Sequence, residues 1–539
     1  MERLNCDVLV IGGGAAGSRA AFEAKKINPR LKVILTVDST CEAGGSTTII
    51  ASEALGINAP FDYGADGDTP EIFEQDILQT GGGLADPALC RILARESGDR
   101  VRELMEMGLE FASRDGKPVA QKLSGCTRAR SLTCGGSTGR EMVRVLKNHA
   151  LEKGLEIIEH IKILKLFQDE NGAVKGAYGI KAGQTVFIGA GAVVLATGGA
   201  TAMFSINVSA ATQTGEGWAM AYDAGCRFTN MEFFQCGPAV MKPGMKFIIH
   251  SHMWRFLPKL ANKDGKQFLP SYCSGGVSEK EALDLKAMSY PFSVRTNAKY
   301  VDIAIFKEIL SGRALSNGGV SFDVTHIPKA ELLEKAPITY QTLLKAGIDV
   351  ACQPLELGIA VQNFNGGVII DEHGSTGVEG LYAAGEVSGG VHGSDRPGGN
   401  NLSDTQVFGF RAGRAAAAFA EKNRSGNNAP EIETKNSIAD SGESKIIEES
   451  ESLYYREMTV VRTKEGIEKV LAFIDKHEKN AVSFQLKNRL AVGRLMAKAI
   501  LAREESRGTH YREDKPETAE SWCRRIVLQK GSDCLPREV

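Results

Sequence analysis

The sequence predicts an α/β fold, with a Rossmann-like dinucleotide-binding domain interrupted by an inserted domain and followed by a helical one. Three observations predict it. A short apolar run, Cys6 to Ile11, ends on Gly12-x-Gly14-x-x-Gly17, and residues of helical composition, Gly17 to Lys26, lead to a second apolar run, Leu31 to Val37. That is one βαβ unit with glycines in its turn. A further strand-like run closed by glycine and an acid, Leu381-Tyr382-Ala383-Ala384-Gly385-Glu386, returns far down the chain. Between the two, over residues 236–350, periodicity weakens and polar loops lengthen, whereas beyond residue 452 helical periodicity takes over.

Taken in order, Pro87 to Gly108 and Arg140 to Gly154 set apolar among charged residues at helical spacing. Ile157 to Phe167 and Ala173 to Gly179 flank Asp169-Glu170-Asn171-Gly172, a hairpin signal. Ala190 to Ala196 is apolar without alternation, as a strand covered on both faces requires, and it closes on Thr197-Gly198-Gly199. After the insert, Gly367 to Ile370 and Leu381 to Ala384 read as strands, and Val407 to Phe419 as a helix of small residues. Residues 423–452, rich in Asn, Ser, Glu and Gly, read as a solvated linker. Leu453 to Lys476 and Asn480 to Glu505 read as two helical segments before an irregular tail. The domains expected are therefore 1–235 with 351–422, an insert at 236–350, the linker 423–452, and a C-terminal helical domain and tail at 453–539.

A chain of 539 residues is too long for one domain. Its net charge of −2 implies neither nucleic acid nor an anionic membrane as partner. No apolar run approaches the roughly 20 residues of a membrane span. The chain opens on Met1-Glu2-Arg3-Leu4 and enters a strand at once, which predicts no signal peptide and a cytoplasmic protein. The 11 cysteines fall in no Cys-x-x-Cys, zinc or iron–sulfur spacing, so any cluster is expected on another polypeptide. The 60 glycines predict many tight turns and close backbone approaches to a ligand.

The first of these approaches is the segment Gly12, Gly13, Gly14, Ala15, Ala16, Gly17. Gly12 permits the tight turn, and the missing side chain at Gly14 lets the backbone meet a pyrophosphate. Free N–H groups at the helix N-terminus complete the site, and Gly17 lets the helix pack on the sheet. Asp38, 21 residues beyond Gly17, is the candidate for a ribose hydroxyl, although Val37 could equally hold the strand-end position. Ala196-Thr197-Gly198 stands at a strand end of the kind that passes back beneath a dinucleotide in flavoproteins. A first βαβ unit at one end and a matching strand after residue 380 favour FAD over NAD.

Four segments now stand together: Gly81-Gly82-Gly83-Leu84-Ala85-Asp86, Thr214-Gly215-Glu216-Gly217, the Leu381 to Glu386 run, and Gly389-Gly390-Val391-His392-Gly393-Ser394-Asp395-Arg396-Pro397-Gly398-Gly399-Asn400. In order and spacing the chain resembles the flavoprotein subunits of succinate dehydrogenase and fumarate reductase, together with aspartate oxidase and the adenylylsulfate reductase α-subunit. The resemblance runs on to Glu505 through Asp514 and covers essentially the whole chain. It implies an FAD-binding domain, an inserted capping domain and a C-terminal helical domain, with electrons exchanged with an iron–sulfur subunit. Carried over by position, FAD contacts fall on the Gly12 to Gly17 turn, Gly44, Gly45, Glu216, Glu386, Asn401 and Leu402. Glu216 stands where relatives usually carry Asp.

The chain departs from that pattern in two places. The dehydrogenase members attach FAD to a histidine just after the second strand. Here Asp38 to Gly45 holds none and the first histidine is His149, so a non-covalent FAD is expected. The family's dicarboxylate site uses two histidines, a threonine–glutamate pair and two arginines. Arg295 matches the arginine that shuttles a proton and Arg396 the one that clamps a carboxylate. Gly237 and Gln362 replace the two histidines, and the threonine–glutamate pair falls near His250 and Ser251. Gln362, His250 and His252 are candidate substrate contacts, although histidines among apolar residues beside Trp254 serve equally well as packing. His392 reads as packing or backbone bonding.

The resemblance therefore implies two-electron chemistry at the flavin on a small organic anion other than fumarate or succinate, in a pocket widened at Gly237. Two other readings stand beside it: a stand-alone oxidase or reductase like aspartate oxidase, and an electron-transfer flavoprotein that turns over no organic substrate. The replaced histidines favour the last; the retained arginines argue against it.

Overall fold

The computed structural model describes residues 1–42, 45–49, 55–61, 67–423, 438–532 and 535–537. Val8, Leu9 and Val10 have no exposed surface, so the strand Glu2–Ile11 is covered on both faces. It pairs in parallel with Val33–Thr36 on one side and Gln184–Leu195 on the other. The helix Ala15–Ile27 closes the first βα turn, and Glu156–Ile158 extends the sheet beyond Val33–Thr36. Gln184–Leu195 is long enough to serve two neighbours. Its first half pairs with the hairpin strand Val174–Lys181, and Val193 to Leu195 pair in parallel with Leu381–Ala383. The late strand is thus stitched into the sheet begun by the N-terminus, which is the discontinuity the sequence predicts. Behind it the helix Asn400–Ala420 packs against Ala15–Ile27.

A second, antiparallel sheet of four strands has the order Phe234–Val240, Leu355–Phe364, Val320–Asp323, Lys259–Ala261. Its first two strands come from either side of the inserted stretch, so they carry the insert on a paired stem. The helices Glu279–Lys286 and Lys299–Leu310 are joined there by a buried ion pair, Lys286 Nζ to Asp302 at 2.5 Å.

Beyond the parallel-sheet domain, a helix begins at Ser441 with Asp440 as its cap, inside the stretch read as linker, and runs to Met458. The segment Leu453 to Lys476, read as one helix, is two. Thr463 restarts it by accepting from Gly466 N–H at 3.1 Å, and helix Lys464–Glu478 follows. A third helix, Phe484–Ala502, starts at the Ser483 cap. The tail then turns back onto the parallel-sheet domain. Arg503 is buried against Glu232 (2.7 Å) and Glu505 (2.9 Å), and Thr509 N–H donates to the Ser394 carbonyl at 3.0 Å. No helix among the described residues is long and apolar enough to cross a membrane.

Candidate functional site

The strand Glu2–Ile11 stops at Gly12, whose φ of +109° no ordinary side chain accepts; a Cβ there would lie 2.3 Å from the Ala196 carbonyl oxygen. Gly14 differs. Among the described residues, a Cβ on it would meet only the Thr47 hydroxyl, at 3.4 Å, so this glycine faces open space. The helix beginning at Ala15 has no side-chain cap from Gly14, and its Ala15 N–H donates to the Thr47 hydroxyl at 3.4 Å beside the same space. Here lies a cleft lined by Gly12 to Ala16, Asp38, Gly45, Ala196, Thr197, Gly198, Glu216, Glu386, Asn401 and Leu402. Gly17 does not line it: its α-carbon packs against the turn, where a Cβ would fall 1.8 Å from the Gly12 carbonyl oxygen. Gly44 lies outside the described residues.

The cleft fits a dinucleotide on its own chemistry. Thr197 Oγ1, His392 Nδ1 and Asp404 Oδ1 are buried on its lining without a hydrogen-bond partner among the described residues. At the end marked by Asp38, Lys162 Nζ lies 2.8 Å from Glu216 and 3.9 Å from Asp38. Burial pushes the Glu216 carboxyl up, but Lys162 and the Thr214 hydroxyl more than offset this and hold it below the usual range. Burial raises Asp38 against the pull of Lys162. Glu386 accepts from the Phe364 N–H at 3.0 Å, and burial pushes its carboxyl up to about 7. Asn401 donates to Asn363 at 2.7 Å, so the cap's stem strand Leu355–Phe364 ends on the cleft.

Beside the cleft, Arg295 Nη2 and Nε stand 2.9 and 3.0 Å from Asp395 Oδ2. The next residue is Arg396, whose Nε is buried without a partner among the described residues and whose Nη1 donates to the Pro397 carbonyl at 3.4 Å. Burial lowers this guanidinium to about 10, against the pull of Asp395, Glu386 and Asp404. Neither arginine lines the cleft itself, whereas Gln362 does. Gln362 falls where the ladder slips: Gln235 pairs with Asn363 and Cys236 with Val361, leaving Gln362 as the extra residue of a β-bulge. Its amide donates to the Tyr290 hydroxyl. His250 packs on Tyr290 with ring centroids 4.8 Å apart, and His252 Nε2 lies 2.9 Å from Thr339 Oγ1.

The widening expected at Gly237 is absent. A Cβ there would lie 2.5 Å from Gln362 Nε2 and 3.0 Å from Tyr290 Oη, because the bulge turns the amide into the space a larger residue would need. Sequence reasoning also missed Lys162, Tyr290 and Asp395. Asp395 sits in the glycine-rich segment beside Arg396, which was signal enough; Lys162 is one polar residue in an alternating strand, and nothing local marks it.

The family model described as FAD binding domain matches residues 7–402, and that described as fumarate reductase flavoprotein C-term matches 479–535. The chain is 33% identical to one subunit of the fumarate reductase (CoM/CoB) of Methanothermobacter marburgensis, over 98% of each chain. It is 29% identical to L-aspartate oxidase of Caulobacter vibrioides, over 97% of this chain and 96% of that one. Among solved structures, Mycobacterium smegmatis Sdh1 in complex with UQ1 superposes with a TM-score of 0.85 at 28% identity, covering 100% of this chain and 94% of that one.

Proposed function

The chain belongs to the FAD-binding flavoprotein family of succinate dehydrogenase and fumarate reductase, and from that premise we propose that this FAD-dependent oxidoreductase reduces or oxidises a small organic anion anchored on Arg396. The observation that supports the reading is the pair of arginines brought together at one aspartate, Asp395, which holds the Arg295 side chain and the Arg396 backbone N–H. Arg396 carries a buried Nε without a partner among the described residues, next to an Arg295 committed to Asp395. A planar guanidinium suits a carboxylate, which it can hold by two parallel hydrogen bonds. Arg295 is the proposed proton carrier. Asp395 holds its Nε and Nη2, which fixes the orientation of the fork and leaves Nη1 to face the reacting carbon. Bound FAD supplies the two-electron redox chemistry. The cap sheet, ending on the cleft at Asn363 and Phe364, excludes water from the reacting groups.

The electron partner in this reading is an iron–sulfur protein, and the site of action is cytoplasmic. The Methanothermobacter relative is named as one subunit of its enzyme, which supports an assembly of several chains. Native purification together with a small iron–sulfur protein is the expected result; a homo-oligomer reoxidised productively by oxygen would point to the oxidase reading instead. The preferred substrate is an anion other than fumarate, because Gly237 and Gln362 leave the far end without a charged donor. A second reading, fumarate itself, is favoured by the name of the same relative. Turnover of fumarate with a reduced viologen dye at rates typical of enzymes, roughly 1–1000 per second, selects the second reading. Loss of all anion turnover in Arg396→Ala, with FAD retained, tests both.

A further inference from the structure

We propose that Tyr290, with the Gln362 amide beside it, reads the end of the substrate remote from Arg396 and selects a neutral hydrogen-bonding group there. The substrate class is then a small monocarboxylate carrying an amide, keto or hydroxyl group where fumarate carries its second carboxylate. This deepens the anion-binding reading and rests on it.

Four observations carry the inference. Gln362 is the bulged residue of the stem, so its side chain leaves the strand's alternation, lines the cofactor cleft and donates to the Tyr290 hydroxyl. With the amide N–H on one lone pair of the phenol oxygen, the hydroxyl proton is left to donate elsewhere. Gly237 makes the contact possible, since any Cβ would crowd both partners. His250 packs at a tilt against Tyr290, and its buried Nε2 has no partner among the described residues. Burial, then the neighbouring His252, lowers that imidazole to about 3, so it is neutral in physiological conditions. The cation packed on this cluster, Lys286, stands 5.4 Å over the Tyr290 ring and is committed to Asp302 at 2.5 Å.

The cluster thus offers hydrogen bonds without a free charge. A carboxylate taken out of water there lacks a counter-ion, while a neutral acceptor loses little. Both halves of the site hang on one loop. Tyr290 N–H donates to Ser124 Oγ at 3.4 Å, and Gly398 N–H, two residues past Arg396, donates to the Ser124 carbonyl at 2.9 Å.

The test titrates the FAD-loaded enzyme with three probes that share one carboxylate: fumarate, its monoamide fumaramate, and crotonate, whose far end is a methyl group. The readout is the perturbation of the flavin absorbance. Fumaramate should bind about tenfold more tightly than fumarate, and Tyr290→Phe should weaken fumaramate about tenfold while changing crotonate less than about twofold. Gly237→Ala, which pushes the pair apart, should act in the same selective way. Tyr290→Phe shifting fumaramate and crotonate equally, or neither, overturns the proposal, as does fumarate binding as tightly as its monoamide. A different failure sinks the anion reading beneath it and this inference with it: no probe perturbs the flavin, or Arg396→Ala leaves crotonate binding unchanged.

Discussion

Arg295 reaches from the cap to Asp395 in the FAD domain, with Nη2 2.9 Å and Nε 3.0 Å from a single carboxylate oxygen. The other oxygen accepts from the Gln235 amide at 3.2 Å and the Arg396 backbone N–H at 2.8 Å. One aspartate therefore positions both arginines. Asp395→Asn keeps the shape but removes the charge that orients Arg295. Turnover of the preferred anion should fall by about 10²–10⁴-fold, the range of a lost proton-transfer group, with FAD content and substrate affinity nearly unchanged. Steady-state kinetics checks this, and an unchanged kcat would remove Arg295 from the chemistry.

The two turn glycines should fail differently when replaced. Gly14→Val places its side chain in the open cleft, so the protein should fold and lose FAD. Gly12→Ala meets the Ala196 carbonyl at 2.3 Å from a φ of +109°, so the fold itself should suffer and soluble yield should drop. Acid precipitation of the wild type should release all of its FAD into the supernatant. Flavin fluorescence that stays with the polypeptide on a denaturing gel would overturn the non-covalent assignment.

His250 sets a sign for stability against pH. Its folded pKa of about 3 lies below the unfolded value near 6.5, so the unfolded chain binds more protons between those limits. Stability is then lost as pH falls below about 6.5, by about 2 kcal/mol at pH 5 from this group alone. His250→Asn should flatten the curve between pH 6.5 and 5. Melting temperatures of the two proteins across that range measure it, and parallel curves would show that the imidazole is not buried.

What could be read from the sequence divides along a physical line. The cofactor turn was legible because backbone approach demands glycine at fixed spacing, and only a few residue types meet that demand. Arg295 and Arg396 could be singled out by position in a motif, and the fold brings both to Asp395. Tyr290 was not, because its place beside Gln362 depends on a one-residue slip between two strands more than 100 residues apart, which leaves no local trace. The same slip explains why an enlarged pocket was expected at Gly237. A glycine in sequence shows an absent side chain, but not the amide that moves in to use the room. The helix at Ser441 was hidden by the polar composition that a solvated helix shares with a linker.

Lys162 provides the last test, because its effect on FAD and its effect on folding separate with pH. Its ammonium lies 2.8 Å from Glu216 on the cleft wall and holds that buried carboxyl below its usual range. In the wild type, stability from this pair is present above the unfolded carboxylate pKa and is lost as pH falls through the lowered folded value. Lys162→Met leaves burial unopposed by the ammonium, which raises Glu216. In the variant, stability is lost instead as pH rises past about 4.5, the ordinary carboxylate range. The gap in melting temperature between wild type and variant should therefore widen from pH 4.5 to 7.5. Because the lysine side chain is 25% exposed, the loss at neutral pH should be only about 1–2 kcal/mol. FAD affinity, read by flavin fluorescence on reconstitution, should weaken about tenfold at pH 7.5. The double variant Lys162→Met with Glu216→Gln removes the uncompensated charge, so its melting temperature should recover and its pH slope vanish. A double variant no more stable than Lys162→Met would mean that the ion pair does not govern this wall of the cleft.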